Sequence, residues 1–198
     1  MKVIGLCGGS GSGKGAVSSI FDDLGIPSID TDAVYREMTL GDSPCLRALA
    51  IEFGDEIISA NGSLDRARLA SIVFSGEGCD ARRRRLNEIA HYFILEETRR
   101  RLKEYESLGC IAALVDAPVL FESGFDKECD KIICVLADKD TRVERIVARD
   151  GISRQAAKAR INSQMSDEEL ISRCDYVIYN NCDLESLKSS VLEIKNNF

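Results

Sequence analysis

The chain has 198 residues, 44% hydrophobic and 30% charged, with a formal net charge of −7. A chain this long buries roughly 70% of its unfolded surface, enough for one α/β domain with an inserted subdomain and no covalent staples. The acidic balance argues against wrapping nucleic acid, which needs a basic face to displace counterions, and no apolar run approaches the roughly 20 residues that span a bilayer.

Lys2 to Cys7 reads as a buried strand that runs into the glycine-rich stretch GGSGSGKG. The five apolar residues VIGLC after Met1-Lys2 are too short for a secretory segment, so the cytoplasm is the expected location. Val17, Ile20, Phe21 and Leu24 recur on one helical face, and Gly25 with Pro27 ends that helix. Ser28 to Asp30 is a short strand closing on Asp-Thr-Asp. Ser43-Pro44 has the form of an N-cap and first helical residue ahead of Leu46, Leu49 and Phe53.

Asn61-Gly62 marks a turn, and Asp65 caps a helix carrying Leu69, Ile72 and Val73. A long helical segment from Asp80 to about Lys103 carries Leu86, Ile89, Ala90, Phe93 and Ile94 as its apolar stripe. Cys110 to Val115 is a continuous apolar strand stopping at Asp116, and Lys131 to Ala137 is another. Helical segments at 140–150 and 153–165 precede a short strand, Tyr176 to Tyr179. A last helix, capped by Asp183, is expected to bury Leu184, Leu187, Val191 and Ile194. Strands this apolar, separated by helices, predict an α/β fold whose parallel sheet is covered on both faces, with a helical insertion beside it.

Eight cysteines stand at 7, 45, 79, 110, 129, 134, 174 and 182, with no C-x-x-C pair and a single histidine. Zinc-site spacing is absent, and Cys7, Cys110 and Cys134 are expected as small buried hydrophobes inside strands.

The chemistry concentrates in Gly8-x-x-x-x-Gly13-Lys14, which follows a strand and opens a helix. Glycines let backbone N–H groups converge on a phosphate, the helix N-terminus adds partial positive charge, and Lys14 reaches the outer phosphates. Gly15 stands where such loops place a serine or threonine hydroxyl for magnesium, and Ala16 supplies no substitute. Mg²⁺ must then rely on phosphates, waters and carboxylates. Asp30 and Asp32 sit where a second parallel strand ends, and Asp116 ends another; each is also a plausible capping or turn residue. Arg142, Arg145 and Arg149 share a helix face and suit a triphosphate clamp, although Arg142 is expected on a solvated basic face. Arg82 to Arg85 wraps around a helix and is expected mostly in solvent. His91 is as well suited to packing as to function.

Together these stretches resemble the dephospho-coenzyme A kinase family. GLCGGSGSGKG is similar to its G-L-T-G-G-I-G-S-G-K-[ST], and FDDLGIPSIDTDAVYRE to its F-x-x-L-G-x-x-x-x-D-A-D-x-x-A-R-E. The segments FGDEIISANGSLDRARLASIVF, LNEIAHYFI, DAPVLFESG, RVERIVARDGISRQAAKARINSQMS and CDYVIYNN extend the likeness over nearly the whole chain. Departures are Gly15 for Ser/Thr, Tyr92 for proline, Val119 for leucine, Cys174 for alanine and Arg142 for glutamine.

The resemblance implies a three-layer P-loop kinase fold with a parallel β-sheet, an inserted helical substrate domain at 59–105 and a small helical lid at 139–167. The nucleotide-binding core would be 1–58, 106–138 and 168–198. Gly8, Gly9, Ser10, Gly11, Ser12, Gly13, Lys14, Gly15 and Ala16 would bind ATP phosphates, with Asn180 by the adenine. Asp32 would be the base on a ribose 3′-hydroxyl, with Lys14, Arg145 and Arg149 completing the catalytic set. Asp30, Asp32, Asp65, Arg66, His91, Pro118, Leu120 and Glu122 would hold dephospho-coenzyme A, and Asp30 with Asp116 would position Mg²⁺ through water. The implied protein is a cytoplasmic enzyme, a monomer by preference, with no nucleic acid or membrane partner. The alternatives are another P-loop small-molecule kinase, such as a nucleoside monophosphate kinase, and a non-catalytic ATP-binding regulator.

Overall fold

A computed structural model describes residues 1–197. Its described residues form two compact units, 1–30 with 102–198 less the final residue, and 31–101. The sequence places the helical insertion at 59–105; the compact helical unit runs from Thr31 to Arg101 and takes in two helices assigned above to the core.

The first unit is built on five parallel strands in the order β2-β3-β1-β4-β5. They are β1 (Lys2–Cys7), β2 (Ser28–Asp30), β3 (Ala112–Asp116), β4 (Lys131–Leu136) and β5 (Tyr176–Tyr179). The apolar run at Cys110 starts the strand two residues late: Cys110 and Ile111 lie outside β3, and Ile111 is exposed. The interiors of the three central strands, β1, β3 and β4, are buried on both faces, which is why no polar residue punctuates β1 or β4.

On one face, α1 (Lys14–Asp23) and α9 (Leu184–Lys195) bury Val17, Ile20, Phe21, Leu187, Val191 and Ile194 against Ile4, Leu6, Leu114, Ile133, Val135 and Ile178. Asp183 caps α9 as expected, accepting from the Ser186 N–H. Leu184, expected in the core, is the first residue of α9 and is 54% exposed, whereas Leu187 in the same turn is buried. Past β4, α6 (Lys139–Asp150) and α7 (Arg154–Asn162) share a small core of Val143, Ile146, Ala157 and Ile161. A further helix, α8 (Asp167–Arg173), lies beyond the helical run foreseen to end at 165. It opens with a capping box in which Ser166 and Glu169 satisfy each other's backbone N–H groups.

The second unit contains α2 (Thr31–Met38), α3 (Pro44–Phe53), α4 (Arg66–Val73) and most of α5 (Cys79–Ser107). Ser43 caps α3 and Asp65 caps α4, both as expected. Cys45, Leu46, Leu49, Phe53, Ile57, Leu64, Leu69 and Val73 form its core, with Leu86, Ile89 and Phe93 of α5 packed against it. Arg82 is not solvated: its guanidinium donates to the carbonyls of Ile72, Ser75 and Glu77, tying down the turn after α4. Arg83 and Arg85 pair with Asp80, Glu52 and Glu88 on the surface.

Candidate functional site

The glycine loop leaves the end of central strand β1 and enters α1, the context that converges backbone donors on an anion. Its glycines are required at two points by geometry. Gly13 has φ of 97°, and a Cβ there would lie 2.0 Å from Asn180 Nδ2. Gly11 has φ of 79°, and a Cβ would meet the backbone of Arg142 at 2.6 Å. Both positions have a left-handed backbone; at Gly11 the neighbour is main chain that cannot retreat, and at Gly13 it is the Asn180 amide, which could move only by giving up its bond to Ser12.

The loop is braced from outside by α6 and by the segment after β5. Arg142 Nε donates to the Ser10 carbonyl at 3.0 Å. Arg145 donates to the carbonyls of Gly11 at 3.2 Å and Ser12 at 3.3 Å, and also to that of Asn180. Asn180 Nδ2 donates to the Ser12 carbonyl at 2.8 Å. In a trans peptide the C=O and N–H point in opposite directions. Turning the Ser10 and Ser12 carbonyls outward therefore turns the Gly11 and Gly13 N–H groups the other way. Two guanidinium groups also place fixed positive charge around the loop. Ser12 Oγ is buried without a hydrogen-bond partner, a hydroxyl left over for a ligand of the loop.

Arg142 thus departs from expectation. It is 4% exposed rather than solvated, bonded also to Asp167 at 3.1 Å. Nothing in the i, i+3, i+7 spacing separates it from Arg149, which is exposed and paired with Asp150. Asn180 lies against the loop backbone at Gly13. Gln164, not foreseen, accepts from the Ser10 N–H at 2.8 Å.

Lys14 Nζ stands 3.7 Å from Asp116 Oδ1. Asp116 ends β3, and its register partner is Asp30, the last residue of β2. Register partners in parallel strands point to the same face, so two carboxylates stand together at the sheet edge where α/β ligands bind. Ser18, one turn beyond Lys14, donates its hydroxyl to Asp116 Oδ2 at 3.4 Å. The i, i+4 spacing from Lys14 is the sequence signal that could have found it. Above Gly15 there is open space: a Cβ built there meets nothing within 4 Å.

Beyond Asp116 and Ala117, the Pro-Val-Leu-Phe-Glu segment from Pro118 to Glu122 folds as a succession of turns rather than a strand or helix. Pro118 and Glu122 line a cavity of about 270 Å³ with Cys7, Gly8, Gly9 and Gln164. Leu120 does not: it is 1% exposed and packs beneath Gly5 of β1, so it anchors the segment instead of facing a ligand.

The second unit carries the other expected residues. Asp32 is exposed in the first turn of α2. Asp65 is occupied as the α4 cap, and Arg66 donates to Thr39 Oγ1 at 2.9 Å. His91 is half-buried on α5.

The family model described as dephospho-CoA kinase matches residues 2–186. A dephospho-CoA kinase of Symbiobacterium thermophilum is 37% identical over 191 residues, covering 96% of this chain and 79% of the relative. One from Bacillus cereus is 38% identical over 196 residues, 99% of this chain and 96% of its own. Among solved structures, TT1252 from Thermus thermophilus superposes with a TM-score of 0.81 at 28% identity, covering 100% of this chain and 97% of its own. The chain belongs to the dephospho-CoA kinase family.

Proposed function

We propose that this protein transfers the γ-phosphoryl group of ATP to the ribose 3′-hydroxyl of dephospho-coenzyme A, giving coenzyme A and ADP, as a cytoplasmic monomer. The observation that carries the reading is the bracing of the loop. Carbonyls of Ser10, Gly11 and Ser12 are taken by Arg142, Arg145 and Asn180, which leaves a preorganised set of N–H donors for phosphate oxygens. Phosphoryl transfer asks the protein mainly for positioning and charge stabilisation, and the loop supplies both.

Lys14, held near Asp116, meets the outer phosphates. Asp32, two residues along the chain from Asp30, takes the proton of the attacking hydroxyl. Arg145 acts through the loop that it braces, and Arg149 reaches the phosphates by releasing Asp150. Asp65, Arg66, His91, Pro118 and Glu122 are assigned to the acceptor; Asp65 and Arg66 contribute by fixing the start of α4.

The residues present fit a hydrated Mg²⁺. Asp116 and Asp30 are hard oxygen donors side by side, Ser18 supports Asp116, and the space over Gly15 leaves room for the waters this ion keeps. When bound, the ion neutralises charge on the phosphates.

ADP release in a coupled assay tests the reading, with dephospho-coenzyme A and nucleoside monophosphates compared as acceptors. Release with dephospho-coenzyme A is expected. Turnover confined to nucleoside monophosphates would overturn it.

A further inference from the structure

Three thiols that the sequence scatters meet at one point of the first unit. Cys7 ends β1, and Cys134 is its register partner in β4. Leu6, Ile133 and Val135 belong to the core under α1 and α9, so alternation sends Cys7 and Cys134 to the opposite face. There α8 packs on β4, and the residue that caps its C-terminus is Cys174. The Cys7 and Cys174 sulfurs are 3.5 Å apart, and all three sulfurs lie within 4.8 Å of one another. Sulfurs bound to a zinc-class ion at about 2.3 Å stand roughly 4 Å from each other. The observed spacing therefore matches a three-thiolate ligand set.

We propose that Cys7, Cys134 and Cys174 form a binding site for a soft divalent ion of the zinc class, directly beneath the phosphate-binding loop. Thiolate ligands select such ions over Mg²⁺, which prefers oxygen. Charge selects the valence: three thiolates with a divalent ion leave one net negative charge, whereas a monovalent ion leaves two in a largely buried place. Each thiol gives up its proton to solvent as its sulfur–metal bond forms, and no electrons are exchanged. Cys7 also lines the cavity of about 270 Å³ that reaches Gly8, Gly9 and Met165, which provides an entry path and room for a water as fourth ligand. Because Cys7 immediately precedes Gly8 and Cys174 ends α8, the ion ties the strand that feeds the loop to the helix beyond the lid segment. The site stands apart from the choice of phosphoryl acceptor.

The test is a Cd²⁺ titration of the reduced protein, reading thiolate-to-metal charge-transfer absorption. One Cd²⁺ per chain is expected. Cys7→Ser, Cys134→Ser and Cys174→Ser should each weaken binding by about tenfold or more, given that even outer partners of metal ligands cost 10–100-fold. Cys182→Ser, which changes an exposed thiol outside the cluster, should bind as wild type does. A readout on the unmodified chain covers the case of a serine that unfolds β1 or β4. Equimolar Zn²⁺ should slow alkylation of Cys174, mapped by mass spectrometry, and leave Cys182 labelling unchanged. Absence of the charge-transfer band, titrations indifferent to all three substitutions, or equal protection of Cys182 would overturn the proposal.

Discussion

Replacing Gly15 by serine restores the hydroxyl that phosphate-binding loops of this kind usually carry, and the structure sets the size of the effect. Gly15 lies in the first turn of α1, outside the positive-φ set, and a Cβ there meets nothing within 4 Å. The added Cβ therefore carries no steric penalty. Glycine costs about 1 kcal/mol against alanine in a helix and serine about half of that, so Gly15→Ser should stabilise by about 0.5 kcal/mol. With an unfolding entropy of roughly 2 cal/mol/K per residue, a chain of this length should gain about 1 °C in Tm. The second effect is on magnesium. One added oxygen donor, at about 1 kcal/mol, should lower the Mg²⁺ concentration for half-maximal ADP release about fivefold. The assay is a Mg²⁺ titration at fixed ATP and dephospho-coenzyme A, run beside thermal unfolding. A raised Tm with an unchanged Mg²⁺ requirement would refute the placement of the ion over Gly15. A lowered Tm would refute the open space itself.

Gly13→Ala should have the opposite character. Left-handed strain of about 1–2 kcal/mol adds to the displaced Asn180–Ser12 hydrogen bond, so urea unfolding should show a loss of about 2–3 kcal/mol with weakened ATP binding. Arg142→Ala should cost about 2–3 kcal/mol by the same measurement, because Ser10 and Asp167 lose a charged donor, and should raise KM for ATP; Arg142→Lys should not restore it, lacking the fork. Hydrogen bonds from Arg100 and then Arg101 hold Glu97 down at about 2, against an ordinary 4.5. Its contribution is therefore complete above about pH 4.5 and fades as pH falls toward 2, and Glu97→Gln should flatten the stability profile across that window. Identical acid profiles for the two proteins would show that the pair does not matter.

Local pattern carried much of the architecture. The apolar runs of β1 and β4 and the caps at Ser43, Asp65 and Asp183 are each written within a few residues. Helix α8 was missed, because the helical reading stopped at 165, although the capping box Ser166-Asp-Glu-Glu169 writes its start into the sequence. What depends on strand order was not legible. Asp30 and Asp116 each read as a strand end, yet only the order β2-β3-β1 makes them neighbours. The burial of Arg142, the reach of Gln164 to Ser10 and the meeting of Cys7, Cys134 and Cys174 are likewise long-range facts that spacing does not encode. Leu184 shows the converse error, since a helical stripe says which residues share a face and not where that face ends.

The central claim is the identity of the reaction, and phosphorus NMR of the product tests it most directly. Incubation of the protein with ATP, Mg²⁺ and dephospho-coenzyme A should yield ADP and, in equal amount, a new phosphomonoester on the ribose 3′-oxygen. Hydrolysis of ATP to free phosphate with the acceptor unchanged, or a phosphate on any other hydroxyl, would contradict it.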